Sequence, residues 1–220
     1  MTNQVLPRRC RGVRRGERLT NLNGALHKRR YNAFTLIELI VVVGIILVLA
    51  GLVLSTVGYA RKKGARARAE TEIAAMSAAI ENYKADNGIY PRDNATNQYT
   101  DTLDARQNFD PTQAVYNNAS FYLYTQLTGD LNGNRQIDAG ETGKNYMQFK
   151  PNMLLPAGGS GTVTAISDPF GNSYGYSTAN QSNPSKGFNP TFDLWSTAGA
   201  APSPTPSPPG TQQNLWIKNW

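Results

Sequence analysis

Glu38 is a lone carboxylate at the head of an apolar run that extends from Leu39 to Leu54. Ionised side chains in such a setting are costly, and where they occur they are paired and functional. An opposite charge nearby offsets the cost. Two unit charges about 4 Å apart attract strongly at low dielectric, although desolvation cancels much of the gain. A second group of chemistry-bearing residues lies further on. Asp130, Asn132, Asn134, Asp138 and Glu141 fall at positions 1, 3, 5, 9 and 12 of a loop, with the Gln136 carbonyl at position 7. That is the all-oxygen spacing of an EF-hand calcium loop. Arg135 occupies the sixth position, where glycine makes the sharp turn, and Ile137 falls where such loops place a strand residue. The competing reading is an Asn/Gly-rich surface turn.

Catalysis finds no support in the sequence. The one histidine, His27, precedes the apolar run. No nucleophile motif, phosphate-cradling glycine loop or Cys/His cluster is present. The net charge of +7 suggests a nucleic-acid binder, but its distribution does not. Nine of the 22 Lys and Arg lie within residues 1–33 against a single acid, Glu17. The remaining 13 basic and 14 acidic residues leave 34–220 at a net −1. A basic arm ahead of an apolar run reads as an orientation signal that stays cytoplasmic, so no nucleic-acid partner is expected. The single cysteine, Cys10, also lies in that arm.

Four segments position these residues. Residues 1–33 read as a leader. Residues 34–60 are long and apolar enough to cross a hydrocarbon core of about 30 Å. Only Ser55 and Thr56 interrupt the run before Tyr59. Arg61, Lys62, Lys63, Arg66 and Arg68 mark the exit. In 61–87, Ala65, Ala69, Ile73, Met76, Ile80 and Tyr83 recur at helical spacing and predict an amphipathic stripe packed on a C-terminal domain. Asn87-Gly88 and then Pro91 end it. Residues 88–220 form that domain. A loop over 88–111 leads to a second helix over 112–128, with Val115, Ala119, Tyr122, Leu123 and Leu127 inward. Short strands are expected at Tyr146–Phe149, Phe192–Thr197 and Leu215–Lys218. Val163–Ser167 and Tyr174–Ser177 should pair as a hairpin around Asp168–Asn172. Pro202–Pro209 reads as an extended proline-rich spacer.

The spelling Arg29-Arg30-Tyr31-Asn32-Ala33-Phe34-Thr35-Leu36-Ile37-Glu38 resembles the processing site of type IV prepilins and type II secretion pseudopilins. Tyr83–Pro91, Asp168–Tyr176, Phe192–Ser196 and Ile217–Trp220 look like later segments of the major pseudopilins. The resemblance implies an α+β, pilin-like fold: a long N-terminal helix, its first half transmembrane, packed against a small C-terminal antiparallel sheet. It implies cleavage between Ala33 and Phe34 by a prepilin peptidase/methyltransferase, and methylation of the Phe34 amine. Ala33 replaces the family's usual glycine. Glu38 would then meet the amine of the next subunit. The implied partners are further copies of the chain in a helical homopolymer, minor pseudopilins and an inner-membrane assembly platform. The implied location is a single-pass inner-membrane protein with a cytoplasmic N-terminus, whose periplasmic domain joins a filament. A type IV pilin and a non-polymerising, membrane-anchored calcium-binding module are the alternatives. Family members usually hold calcium late in the chain, where this sequence has the acid-free Ala200–Gly210, so the Asp130 loop is the expected replacement.

Overall fold

A computed structural model describes residues 34–93, 99–200 and 213–220. The leader, with Ala33, and the stretch Pro202–Pro209 lie outside the described residues. The chain divides into two compact units, Met1–Leu49 and Ala50–Trp220. The first helix, α1 (Leu36–Asn87), contributes to both. In the first unit every described residue is exposed, the large apolar side chains included. A helix apolar on all sides needs an apolar surrounding, and α1 is the one helix among the described residues long and apolar enough to cross a membrane.

The second unit is an α+β domain. The predicted stripe of α1 faces its core: Ala69, Ile73, Met76 and Ile80 are buried, with Ala79 beside them, while Ala65 and Tyr83 are half-buried. Gly88 ends the helix as expected. Its φ of 78° is left-handed, and its N–H donates to the Lys84 carbonyl at 2.7 Å. The second helix, α2 (Ala114–Thr128), buries Tyr116, Ala119, Leu123, Tyr124 and Leu127. Val115 and Tyr122, expected inward, are half-buried, because the face is turned toward the two tyrosines. Each buried tyrosine has a partner for its hydroxyl: Tyr116 donates to the Asn108 carbonyl and Tyr124 to Asp130, both at 2.7 Å.

The strands form two small antiparallel sheets. β1 (Leu154–Leu155) pairs with β2 (Ala165–Ile166). β3 (Gly175–Ser177), β4 (Asp193–Ser196) and β5 (Ile217–Lys218) pair in that order. The expected hairpin is therefore corrected. Ser167 and Ser173 form one isolated bridge around the Asp168 turn, and the flanking segments then part into different sheets. Tyr146–Phe149 is not a strand. The Tyr146 and Met147 N–H groups instead donate to the Leu127 carbonyl, at 2.8 and 3.2 Å, capping the end of α2. The loop over 88–111 is more than a connection. Leu103, Ala105 and Phe109 build a second core with Tyr116, Ala119, Trp195 and Trp216. One polar tie fastens α1 to the residue just before β3. The Tyr174 hydroxyl donates to Glu72 Oε2 at 2.8 Å, and Arg68 holds the other Glu72 oxygen at 2.6 Å.

Candidate functional site

The first site is the start of α1. Thr35 precedes Leu36, and Glu38 stands three residues later, the spacing of a capping box. The geometry is reciprocal. The Glu38 N–H donates to Thr35 Oγ1 at 3.3 Å, and the Thr35 N–H donates to Glu38 Oε2 at 2.9 Å. The Thr35 hydroxyl donates to the same oxygen at 2.8 Å. One carboxylate oxygen is thus committed to the cap. Among the described residues Oε1 has no partner and can take one more donor. Phe34 is exposed beside this cap. Sequence reasoning picked out Glu38 but missed Thr35, although the Thr-x-x-Glu spacing that reveals it lies in plain view.

The second site is the loop after α2. The Asp130 side chain is buried and acts as a hub. Its Oδ1 accepts the Gly133 and Asn134 N–H groups at 2.7 and 3.2 Å. Its Oδ2 accepts the Arg135 N–H at 2.8 Å and the Tyr124 hydroxyl at 2.7 Å. Burial, and then Asp130 itself, hold the Tyr124 phenol above its ordinary value, so it stays a donor. Asn132 Oδ1 and Asn134 Oδ1 each accept one N–H, from Asn134 and Gln136 at 2.9 and 2.8 Å. Both Asn amides donate to Asp138 Oδ2, at 2.9 and 2.6 Å. Glu141 closes the ring, with Oε1 accepting the Leu131 N–H and Oε2 the Asp138 N–H, each at 2.8 Å.

Arg135 takes the conformation that the sixth position demands, with φ at 72°. Its side chain turns to the β1–β2 connection, where Nε donates to the Gly161 carbonyl at 3.0 Å and Nη2 to the Pro156 carbonyl at 2.7 Å. The Val163 N–H donates to the Gly133 carbonyl at 2.7 Å, a further tie to that connection. Ile137 is not in a strand; it is exposed, at the wall of a cavity of about 500 Å³ shared with Tyr124, Arg135 and Phe149. The donor set suits a hard cation, since Asn132 and Asn134 each keep a free lone pair on Oδ1. Two features oppose it. All four acceptor positions of Asp130 are filled, and among the described residues no three acidic, His or Cys side chains are grouped to hold a metal.

Comparisons with known proteins bear on the first site. The family profile described as the prokaryotic N-terminal methylation motif matches residues 28–54. The chain is 31% identical over 121 residues to the type II secretion system core protein G of Aeromonas hydrophila, covering 54% of this chain and 81% of the relative. It is 29% identical over 144 residues to that of Escherichia coli (strain K12), covering 63% and 89%. It is 38% identical over 63 residues to that of Vibrio cholerae, covering 29% and 43%. No solved structure matches.

Proposed function

Because the chain belongs to the type II secretion system core protein G family, the major pseudopilins, we propose that it is cut between Ala33 and Phe34 and polymerises through Glu38. The observation that carries this reading is the methylation motif over residues 28–54, set at the head of an exposed apolar helix. The chain is a structural pseudopilin of type II secretion, and the apolar part of α1 is its membrane anchor. A prepilin peptidase frees the Phe34 amine and methylates it, and methylation leaves the charge. The amine of the next subunit then meets Glu38 Oε1, and the two charges neutralise each other within the apolar bundle. The domain from residue 61 onward faces the periplasm, an assembly platform in the inner membrane adds subunits, and minor pseudopilins join the same filament. The role is structural rather than catalytic. Crosslinking of the processed protein in membranes tests this: a ladder of multimers is expected, and a product confined to monomer would refute polymerisation.

We further propose that Ca²⁺ binds Asp130, Asn132, Asn134, Asp138 and Glu141 with the Gln136 carbonyl. A divalent cation there neutralises three carboxylates and ties α2 to the β1–β2 connection. Asp130 must release one donor, and the Tyr124 hydroxyl is the one not fixed by the backbone. A ligand bound to the folded state alone stabilises it by about 2.7 kcal/mol at a hundredfold excess over its dissociation constant. For a chain of this length that raises the melting temperature by roughly 5–11 °C. Thermal unfolding of the full chain in detergent, at millimolar calcium against chelator, measures this rise. Asp138→Asn should remove it and Tyr124→Phe should enlarge it. Equal melting temperatures in calcium and in chelator would leave the loop a closed surface turn.

A further inference from the structure

The positive cluster beyond the apolar run runs against the tendency of Lys and Arg to stay on the cytoplasmic side. Its members are not equivalent. Arg68 is paired with Glu72. Arg66 reaches Glu70 at 3.5 Å and donates to the Leu215 carbonyl at 2.9 Å, fastening α1 to the segment entering β5. Arg61, Lys62 and Lys63 have no ion pair or side-chain hydrogen bond among the described residues. Lys62, Lys63 and Arg66 rim a cavity of about 580 Å³ within the second unit, whose wall includes Tyr59, Phe170 and Leu215. The Phe170 side of that wall is held in place. The Phe170 N–H donates to Asp168 Oδ1 at 2.9 Å, and Gly199 lies so close that a Cβ there would stand 3.0 Å from the ring.

We propose that this groove binds an anionic phospholipid at the bilayer surface where α1 leaves the membrane, the phosphate on Lys62 and Lys63 and the first acyl methylenes against Phe170 and Leu215. The inference rests on the membrane reading of α1 given above. Three features select this occupant. The rim is cationic while the wall is apolar, the amphipathic match of a headgroup joined to its chain. Tyr59 stands 73% exposed at the level where aromatic side chains settle between headgroups and hydrocarbon. The charges adjoin the bilayer in every subunit before assembly begins, and juxtamembrane Lys and Arg draw anionic lipid.

The test uses the full chain in phosphatidylcholine bilayers doped with a photoactivatable phosphatidylglycerol or, separately, a photoactivatable phosphatidylcholine, with adducts mapped by mass spectrometry. Phosphatidylglycerol adducts on the peptides holding Phe170 and Leu215 should exceed the phosphatidylcholine adducts by about tenfold. Lys62→Gln with Lys63→Gln, both on an exposed face, should bring them down to the phosphatidylcholine level. Equal labelling by the two probes, or labelling unchanged in the double variant, would overturn the proposal. So would carbodiimide linkage of Lys62 or Lys63 to a carboxylate of a second copy in undoped bilayers, which would assign the groove to subunit contact. Adducts over 39–54 should form with both probes; their absence would refute the membrane reading itself, and the lipid site with it.

Discussion

Glu38→Ala leaves the protein in the membrane and removes its multimer ladder, with filament yield lowered about tenfold or more, as breaking a buried ion pair implies. Alanine suits the apolar run better than glutamate does, so insertion is unharmed. Two things are lost together: the cap on the Thr35 N–H and the negative charge offered by Oε1. Glu38→Gln separates them. An amide oxygen can still accept from the Thr35 N–H and hydroxyl, keeping the helix start intact, but it carries no charge for an incoming amine. If pairing with the amine drives assembly, the glutamine variant fails about as badly as the alanine variant. Should the glutamine variant restore the ladder, the cap would be what matters and the charge-pairing account would be lost. Glu38→Asp keeps the charge but shortens the reach, and should assemble poorly.

Gly175→Val unfolds the domain at a markedly lower temperature. Gly175 in β3 is the register partner of Trp195 in β4. The indole lies across the glycine: an added Cβ would sit 2.7 Å from Trp195 Cδ2 and nearer still to two other ring atoms. The ring has nowhere to go. It is fully buried, stacks on Trp216 at 5.8 Å and 9°, meets Tyr116 edge-on at 5.7 Å, and donates its N–H to the Tyr116 hydroxyl at 3.2 Å. Overpacking of such a site costs about 3 kcal/mol or more, or about 6–12 °C in melting temperature for a chain of this size. The contrast is Gly64→Ala in α1. Nothing lies within 4 Å of a Cβ there, so it should stabilise by about 1 kcal/mol through helix propensity alone. A Gly175→Val protein that melts with the wild type would show that the indole can shift.

The parts of the fold legible in the sequence are those set by local rules. The stripe from Ala69 to Ile80 follows helical spacing, and its bounds agree to within a few residues because Gly88 terminates α1. β4 and β5 lie inside their expected segments. What escaped depended on partners. Alternation marks a segment as extended without saying which strand it joins, so Val163–Ser167 and Tyr174–Ser177 look like a hairpin while β2 and β3 belong to different sheets. Leu103, Ala105 and Phe109 are too irregularly spaced to signal a core, and only α2 and the tryptophans make them one. At the sites, Glu38 was legible as a misplaced charge. The Asp130 loop was legible as a spacing, but the spacing did not reveal that Asp130 would be saturated by its own backbone and Tyr124.

The most direct test of the central claim is the N-terminus of the membrane-bound protein, read by mass spectrometry of its first peptide. A processed pseudopilin begins at Phe34 and carries one methyl group on that amine. A chain that retains its leader in the assembled, membrane-bound state, or one that begins at any residue beyond Phe34, would contradict the account.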